Sequence, residues 1–273
     1  MIDVTDTKDD AQNLAEELKD NPNNPEKWHK LGVVYLSIKH WSSAEIAFKQ
    51  CLKLNKEHPL ALGELGTLYI LKGKTKAAIK NLEKSLKIDP GNYEFWSSLG
   101  RAYIKGTRPL DAIEALQHSL AIKPDHRDAL VALAVAYNNL ESWEEALDIL
   151  RQADMMFPND FEIHKGKARS LMKLGRTQEL EETYLAMRKI DPEDHTLLMY
   201  LGRMAFRRGE NVKGLEYYRK AVEMDPESFM AWKILGEALQ KLGMKDEARE
   251  AREKYKEIEF KLRKSGTKIV GKI

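Results

Sequence analysis

Few residues in this chain could carry chemistry, and their spacing does not suit it. Gly73-Lys74-Thr75 matches the end of a phosphate-binding loop, whose backbone amides and lysine cradle phosphates. That loop needs a glycine five residues earlier and a preceding strand, but Leu68 stands there, inside a helical pattern. The seven histidines are His29, His40, His58, His118, His126, His164 and His195. No two of them are spaced three or four apart, and no carboxylate–histidine arrangement gives a zinc-binding helix. Cys51 is the only cysteine, so no internal disulfide can form, which fits a reducing compartment. It reads as a small buried residue, since nothing at its spacing supplies the base a nucleophile needs. No GxSxG, GxGxxG or paired-cysteine motif occurs. The expectation is a chain with no catalytic residue, no metal ligand and no cofactor.

The bulk properties agree with that reading. Of 273 residues, 32 % are charged and 42 % apolar, with a net charge of +2. Near balance argues against a general nucleic-acid binder, which is usually strongly basic. No apolar run is long enough to span a membrane, and Met1-Ile2-Asp3-Val4-Thr5-Asp6 lacks the basic-then-apolar order of a secretory signal. A cytoplasmic location is expected.

What the sequence does carry is a period of 34 residues without insertion or deletion. Seven windows open at Pro25, Pro59, Tyr93, Arg127, Phe161, His195 and Phe229. Their fourth places hold Trp28, Leu62, Trp96, Leu130, His164, Leu198 and Trp232. Their eighth places hold Gly32, Gly66, Gly100, Ala134, Ala168, Gly202 and Gly236. A strict period of this length marks stacked supersecondary units. Each window reads as two antiparallel helices. In the second, Leu62, Leu65, Gly66 and Tyr69 lie on one helical face, Gly73 breaks the pattern, and Ala77, Ala78, Leu82, Ser85 and Leu86 resume it. Proline closes most windows, at Pro90, Pro124, Pro158, Pro192 and Pro226. The small residues, such as Gly66 and Ala78, let two backbones approach closely, and the large ones fill the space around them.

The pattern Trp28–Leu31–Gly32–Tyr35–Ala44–Phe48, with its closing proline, resembles the tetratricopeptide repeat. The resemblance implies an all-α, right-handed α-solenoid, a superhelix of seven helix-turn-helix repeats with terminal capping helices. The boundaries would be 1–24 for the N-terminal tail and capping helix and 25–262 for the repeats, with 263–273 as a basic tail. The repeats would be 25–58, 59–92, 93–126, 127–160, 161–194, 195–228 and 229–262. Ala11, Leu14, Ala15 and Leu18 at helical spacing suit a leading cap. Arg252, where other repeats carry Phe48, Leu82 or Tyr218, marks a closing helix that faces water. The tail from Lys261 to Ile273 has five basic and no acidic residues; it would make at most weak contact with an anionic surface.

The resemblance also implies a function: a non-catalytic scaffold or adaptor that binds a peptide or helix of another protein in a concave groove. The groove would be lined by places 2, 5, 6, 9, 12 and 13 of each first helix. Mapped onto this chain, repeats one to four offer Glu26, Lys30, Glu64, Glu94, Arg101, Lys105 and Asp128, with Val135 among the apolar neighbours. Repeats five to seven offer Lys165, Arg169, Lys173, Arg203, Arg207, Lys233 and Lys241 against Glu162 and Glu237. Met172, Met199, Tyr200 and Phe206 stand among these cations, a mixture suited to an acidic peptide or helix with apolar anchors. The carboxylate clamp of co-chaperone relatives is missing, because His29 and Val33 occupy its places in repeat one and Glu64 its place in repeat two. The asparagine ladder of sugar-transferase relatives is also missing, with Ser98, Ala132, Gly166 and Tyr200 in its place. Self-assembly into a homo-oligomer, or service as a regulatory arm of a larger complex, are the other readings.

Repeat five departs most. His164 replaces Trp or Leu, Lys167 replaces Leu, Leu171 replaces Tyr and Leu180 replaces Ala. A lysine at a packing place must carry its amine to water, and Leu180 spreads the helices. Residues 161–187 are therefore expected to exchange amide hydrogens faster than repeats two and three; equal or slower exchange there contradicts the expectation.

Overall fold

The structure, a computed structural model, describes residues 4–265, with side chains from residue 9 onward. The expected tail therefore lies largely outside the described residues, at 266–273. The described elements are helices in a strict order. Helix α1 (Val4–Asp20) leads. First helices of the repeats are α2 (Pro25–Ser37), α4 (Pro59–Leu71), α6 (Tyr93–Lys105), α8 (Arg127–Asn139), α10 (Phe161–Leu174), α12 (His195–Arg207) and α14 (Phe229–Lys241). Second helices are α3 (Trp41–Leu54), α5 (Thr75–Ile88), α7 (Pro109–Ile122), α9 (Trp143–Met156), α11 (Thr177–Ile190), α13 (Asn211–Met224) and α15 (Lys245–Lys264). Every first helix begins where a window opens. The chain divides into two compact bodies, Met1–Phe157 and Pro158–Ile273.

Local signals repeat with the period. The residue before each first helix is its N-cap: Asn24, Asn92, Asp160, Asp194 and Ser228 each accept a backbone N–H of the first turn. His58 does the same through Nδ1, taking the Ala61 N–H at 3.1 Å. His126 instead turns its Nδ1 to Ser119 Oγ, 3.0 Å away. The turn between paired helices needs one left-handed residue. It is Gly73, Gly175, Gly209 or Gly243 in four repeats, but Lys39, Thr107 and Glu141 adopt it at φ 59°, 56° and 60° in the others. The reversal is closed by bonds such as Lys74 N–H to Tyr69 O, 2.9 Å, and Arg108 N–H to Tyr103 O, 2.9 Å.

The eighth place sets how close the two helices of a hairpin come. A methyl added to Gly32 would lie 2.5 Å from the Phe48 ring, and one added to Gly66 would lie 2.6 Å from Leu82 Cγ. The same addition would strike Leu116 at Gly100 and the Tyr218 ring at Gly202. Phe48, Leu82 and Leu116 are completely buried. Each such side chain stabilises the fold by roughly 2 kcal/mol through the water it excludes. The last hairpin differs. Arg252 is exposed and reaches Gln240, and a methyl on Gly236 would find nothing nearer than Ala251 Cβ at 3.5 Å. The closing helix thus turns a charged side to water, as its sequence indicates.

Stacking within each body follows one scheme. In the first, α2, α4, α6 and α8 pack in succession, and each second helix packs on the next first helix. Ala11 and Leu18 of α1 are buried against Leu31 and Ala47, so α1 covers the first hairpin. Glu45 of α3 ties two successive hairpins. It is 8 % exposed and faces Lys49 Nζ at 2.7 Å and Lys72 Nζ at 2.5 Å, while Tyr69 Oη donates to it at 3.2 Å. Hydrogen bonds from Lys49 and Lys72 hold its carboxyl well down, at about 2. In the second body α12 packs on α11, α13 and α14, whereas α10 packs closely on α11 alone. His164 fills the tryptophan place without loss of its polar bond. Trp28, Trp96 and Trp232 donate Nε1–H to the carbonyls of Pro22, Pro90 and Pro226 at 2.8 Å, and His164 Nε2 lies 3.0 Å from Pro158 O. Leu180 is buried but borders a hollow of about 670 Å³ with Leu185 and Met204.

Two stability predictions follow from this packing. Gly100→Ala should destabilise the protein by about 1–3 kcal/mol in urea unfolding, because it forces Leu116 aside. Gly236→Ala should change it by less than about 0.5 kcal/mol or stabilise it, since the site is open and alanine favours helix. Equal effects at the two sites contradict the packing described. For Glu45, the folded carboxyl titrates below its ordinary 4.5, so its stabilisation is complete above that pH and fades as pH falls toward about 2. Glu45→Gln should cost on the order of 1–2 kcal/mol at pH 7, discounted because the lysines are partly exposed, and the difference from the parent should vanish on acidification. A difference that stays constant with pH contradicts the role given to this carboxylate.

Candidate functional site

Places 9, 12 and 13 of one first helix and places 2, 5, 6 and 9 of the next share a side of the stack, because residues three and four apart lie on one helix face. Two hollows form there. In the first body, Arg101, Ile104 and Lys105 of α6 face Asp128, Val131, Ala132 and Val135 of α8 across a hollow of about 430 Å³. In the second body, Arg203, Phe206 and Arg207 of α12 face Ile234, Glu237 and Lys241 of α14 across a hollow of about 610 Å³.

The second hollow is the more organised. Phe206 stacks on Tyr218 with ring centroids 5.3 Å apart, and it lies so close to α13 that a methyl on Gly214 would come within 2.6 Å of its ring. Tyr218 is buried, and burial pushes its hydroxyl up to about 12. Tyr200 stacks on Tyr184 at 5.0 Å, and the Arg203 guanidinium lies 5.9 Å from the Tyr200 ring centroid. Among the described residues, Arg101, Arg203 and Arg207 form no ion pair with a carboxylate. Some arginines elsewhere do, as Arg108 with Asp111 at 2.8 Å, Arg219 with Glu247 at 2.7 Å, and Arg208 with Glu181, whereas among the described residues Arg169, Arg188 and Arg252 form no ion pair either. In the first hollow, Lys105 Nζ donates to the Ile70 carbonyl at 3.1 Å. Arg127 there is paired with Asp128 at 2.8 Å.

The predicted groove residues therefore fall into three sets. Arg101, Lys105 and Val135 come together in the first hollow, and Arg203, Phe206 and Arg207, with Tyr200 beside them, in the second. Lys165, Arg169, Met172 and Lys173 are exposed on α10 and line neither hollow; Lys165 pairs with Glu162 at 3.2 Å. Lys233 lies over the Phe229 ring. Met199 is a correction: at 2 % exposure it belongs to the core formed by α12, α13 and α14, not to a surface.

Sequence reading missed Glu26, His29 and His58, one ligand atom of each lying within 4.8 Å of the others. A scan for pairs within one helix does not see His58, which caps the next repeat's first helix. Folding the sequence at its own period would have placed it beside the first turn of α2. Cys51 behaves as expected of a buried thiol: it is fully enclosed, and burial pushes it up to about 12.

Hairpins of helix repeated at a fixed period, stacked with outward hollows, define a helical-repeat interaction fold. Models described as "Tetratricopeptide repeat" match residues 26–58 and 60–92, 107–169, 165–228 and 217–250. The chain belongs to the tetratricopeptide repeat family, whose fold is a scaffold for binding other proteins. It is similar to Protein O-mannosyl-transferase TMTC3 of Homo sapiens, at 28 % identity over 136 residues, covering 44 % of this chain and 15 % of that protein. Because the match spans so little of that protein, the activity in its name is not carried to this chain. Among solved structures, PilF of Pseudomonas aeruginosa matches with a TM-score of 0.65 at 15 % identity, over 78 % of this chain and 97 % of its own. A tetratricopeptide repeat protein from Parabacteroides merdae matches at 0.61 and 17 %, over 87 % of this chain and 94 % of its own. The APC/C hetero-tetramer Cut9–Hcn1 matches at 0.62 and 17 %, over 85 % of this chain and 46 % of that one. At these identities the likeness shows the fold alone. No described helix is long and apolar enough to cross a membrane.

Proposed function

We propose that this protein is a non-catalytic adaptor of the cytoplasm that captures an acidic segment of a partner protein in the hollow between α12 and α14. The observation that carries the reading is the pair Arg203 and Arg207, without carboxylate partners, flanking the aromatic floor of Phe206, with Lys241 opposite. Cations left unpaired beside an apolar floor fit a ligand bearing carboxylates and an apolar anchor. An arginine grips a carboxylate with two parallel hydrogen bonds, and the anchor covers the ring. Glu237 on the facing helix sets polarity, repelling one carboxylate position and so favouring a register. Arg101 and Lys105 give the first body a smaller site of the same kind.

The test is anisotropy titration with labelled peptides in which Asp and Glu alternate with Leu and Phe. Arg203→Glu with Arg207→Glu should weaken binding by about tenfold or more, with helical circular dichroism retained. Arg169→Glu, on α10 outside the hollow, should leave affinity within about twofold, and raising salt should weaken binding to the parent protein. Unchanged affinity in the double variant, or an equal loss in Arg169→Glu, overturns the assignment.

A further inference from the structure

We propose that Glu26, His29 and His58 form a binding site for a divalent transition metal of the zinc type. Two imidazoles and a carboxylate are a donor set such a metal takes, with the fourth position left to solvent. They come from different elements: Glu26 and His29 lie one turn apart on α2, and His58 caps α4. The His29 and His58 rings are 5.0 Å apart, centroid to centroid, and His58 Nε2 is 3.2 Å from Glu26 Oε1.

The second observation concerns the ring nitrogens. His58 is 3 % exposed, and both its Nε2 and that of His29 are enclosed without a hydrogen-bond partner. The Glu26 oxygen is near His58 Nε2 but is not aligned as an acceptor. Buried polar atoms are nearly always satisfied, so two such nitrogens on adjacent rings beside one carboxylate call for a shared ligand. Tetrahedral coordination would bring the three ligand atoms to about 3.4 Å from one another. They now lie within 4.8 Å, and exposed Glu26 and half-buried His29 have the freedom to close that gap around a fixed His58. His58 Nδ1 accepts the Ala61 N–H, so the ring proton resides on Nε2. Loading replaces that proton by the metal; the proton moves to Nδ1, and the Ala61 amide is released from its cap. Cost and gain are thus linked at one residue.

The probe is Zn²⁺ alone, titrated calorimetrically into protein stripped with chelator. One equivalent should bind to the full chain. His58→Asn removes the ligand but keeps the cap, since Asn24 and Asn92 cap the corresponding helices. It should weaken zinc binding by about a hundredfold, and Glu26→Gln by about tenfold or more, both with unchanged melting temperature in chelator. His40→Gln, at an exposed histidine away from the site, should bind like the parent. In the parent, zinc should also shift the Ala61 amide resonance. Absence of stoichiometric binding, retention of parental affinity in both site variants, or loss of binding in His40→Gln overturns the proposal.

Discussion

The closeness of the two helices in each hairpin is the constraint on which the rest of the structure depends. It is set where a residue with little or no side chain, at the eighth place, meets a bulky one on the second helix: Gly32 with Phe48, Gly66 with Leu82, Gly100 with Leu116, Gly202 with Tyr218. The backbone groove left by glycine receives the large side chain, which becomes fully or nearly fully buried. That fit fixes which faces of the first helix look inward. The remaining face is left for the neighbouring repeat and for solvent, and the hollows appear there.

Because the packing is met by a handful of places, the others are free to carry charge. Several second-helix and turn arginines are neutralised by nearby carboxylates, as in Arg108 with Asp111 and Arg219 with Glu247. Arg203 and Arg207 are not, and they border a hollow floored by Phe206 and Tyr218. The N-cap place shows a similar freedom. Asn, Asp and Ser meet its single requirement, an acceptor for the first-turn amides; histidine meets it too, and brings a second nitrogen with it. At His58 that spare nitrogen faces a carboxylate and another imidazole.

The start of each first helix and the pairing of helices into hairpins were legible in the sequence, because the period repeats each signal and glycine and proline punctuate it. Three kinds of feature were not. Lys39, Thr107 and Glu141 hold a left-handed backbone that their side chains do not announce; only their register with Gly73 marks them. Met199 occupies a groove place by count, yet it is buried. In α12 the fifth place is covered by the following hairpin, as at Gly63, where an added methyl would strike the Phe95 ring, whereas Lys165 at the same place of α10 stays exposed. His164 reads as a departure from tryptophan, but its Nε2 preserves the bond to the closing proline's carbonyl. Sites assembled across repeats, such as Glu26 with His29 and His58, need the fold before they can be seen.

A double-mutant cycle between Gly100 and Leu116 measures the central constraint most directly. In the parent background Gly100→Ala presses a methyl against Leu116; with Leu116→Ala already in place, that obstacle is gone. The account predicts that the cost of Gly100→Ala falls close to zero in the Leu116→Ala background, a coupling of about 1 kcal/mol or more. The same cost in both backgrounds would contradict it.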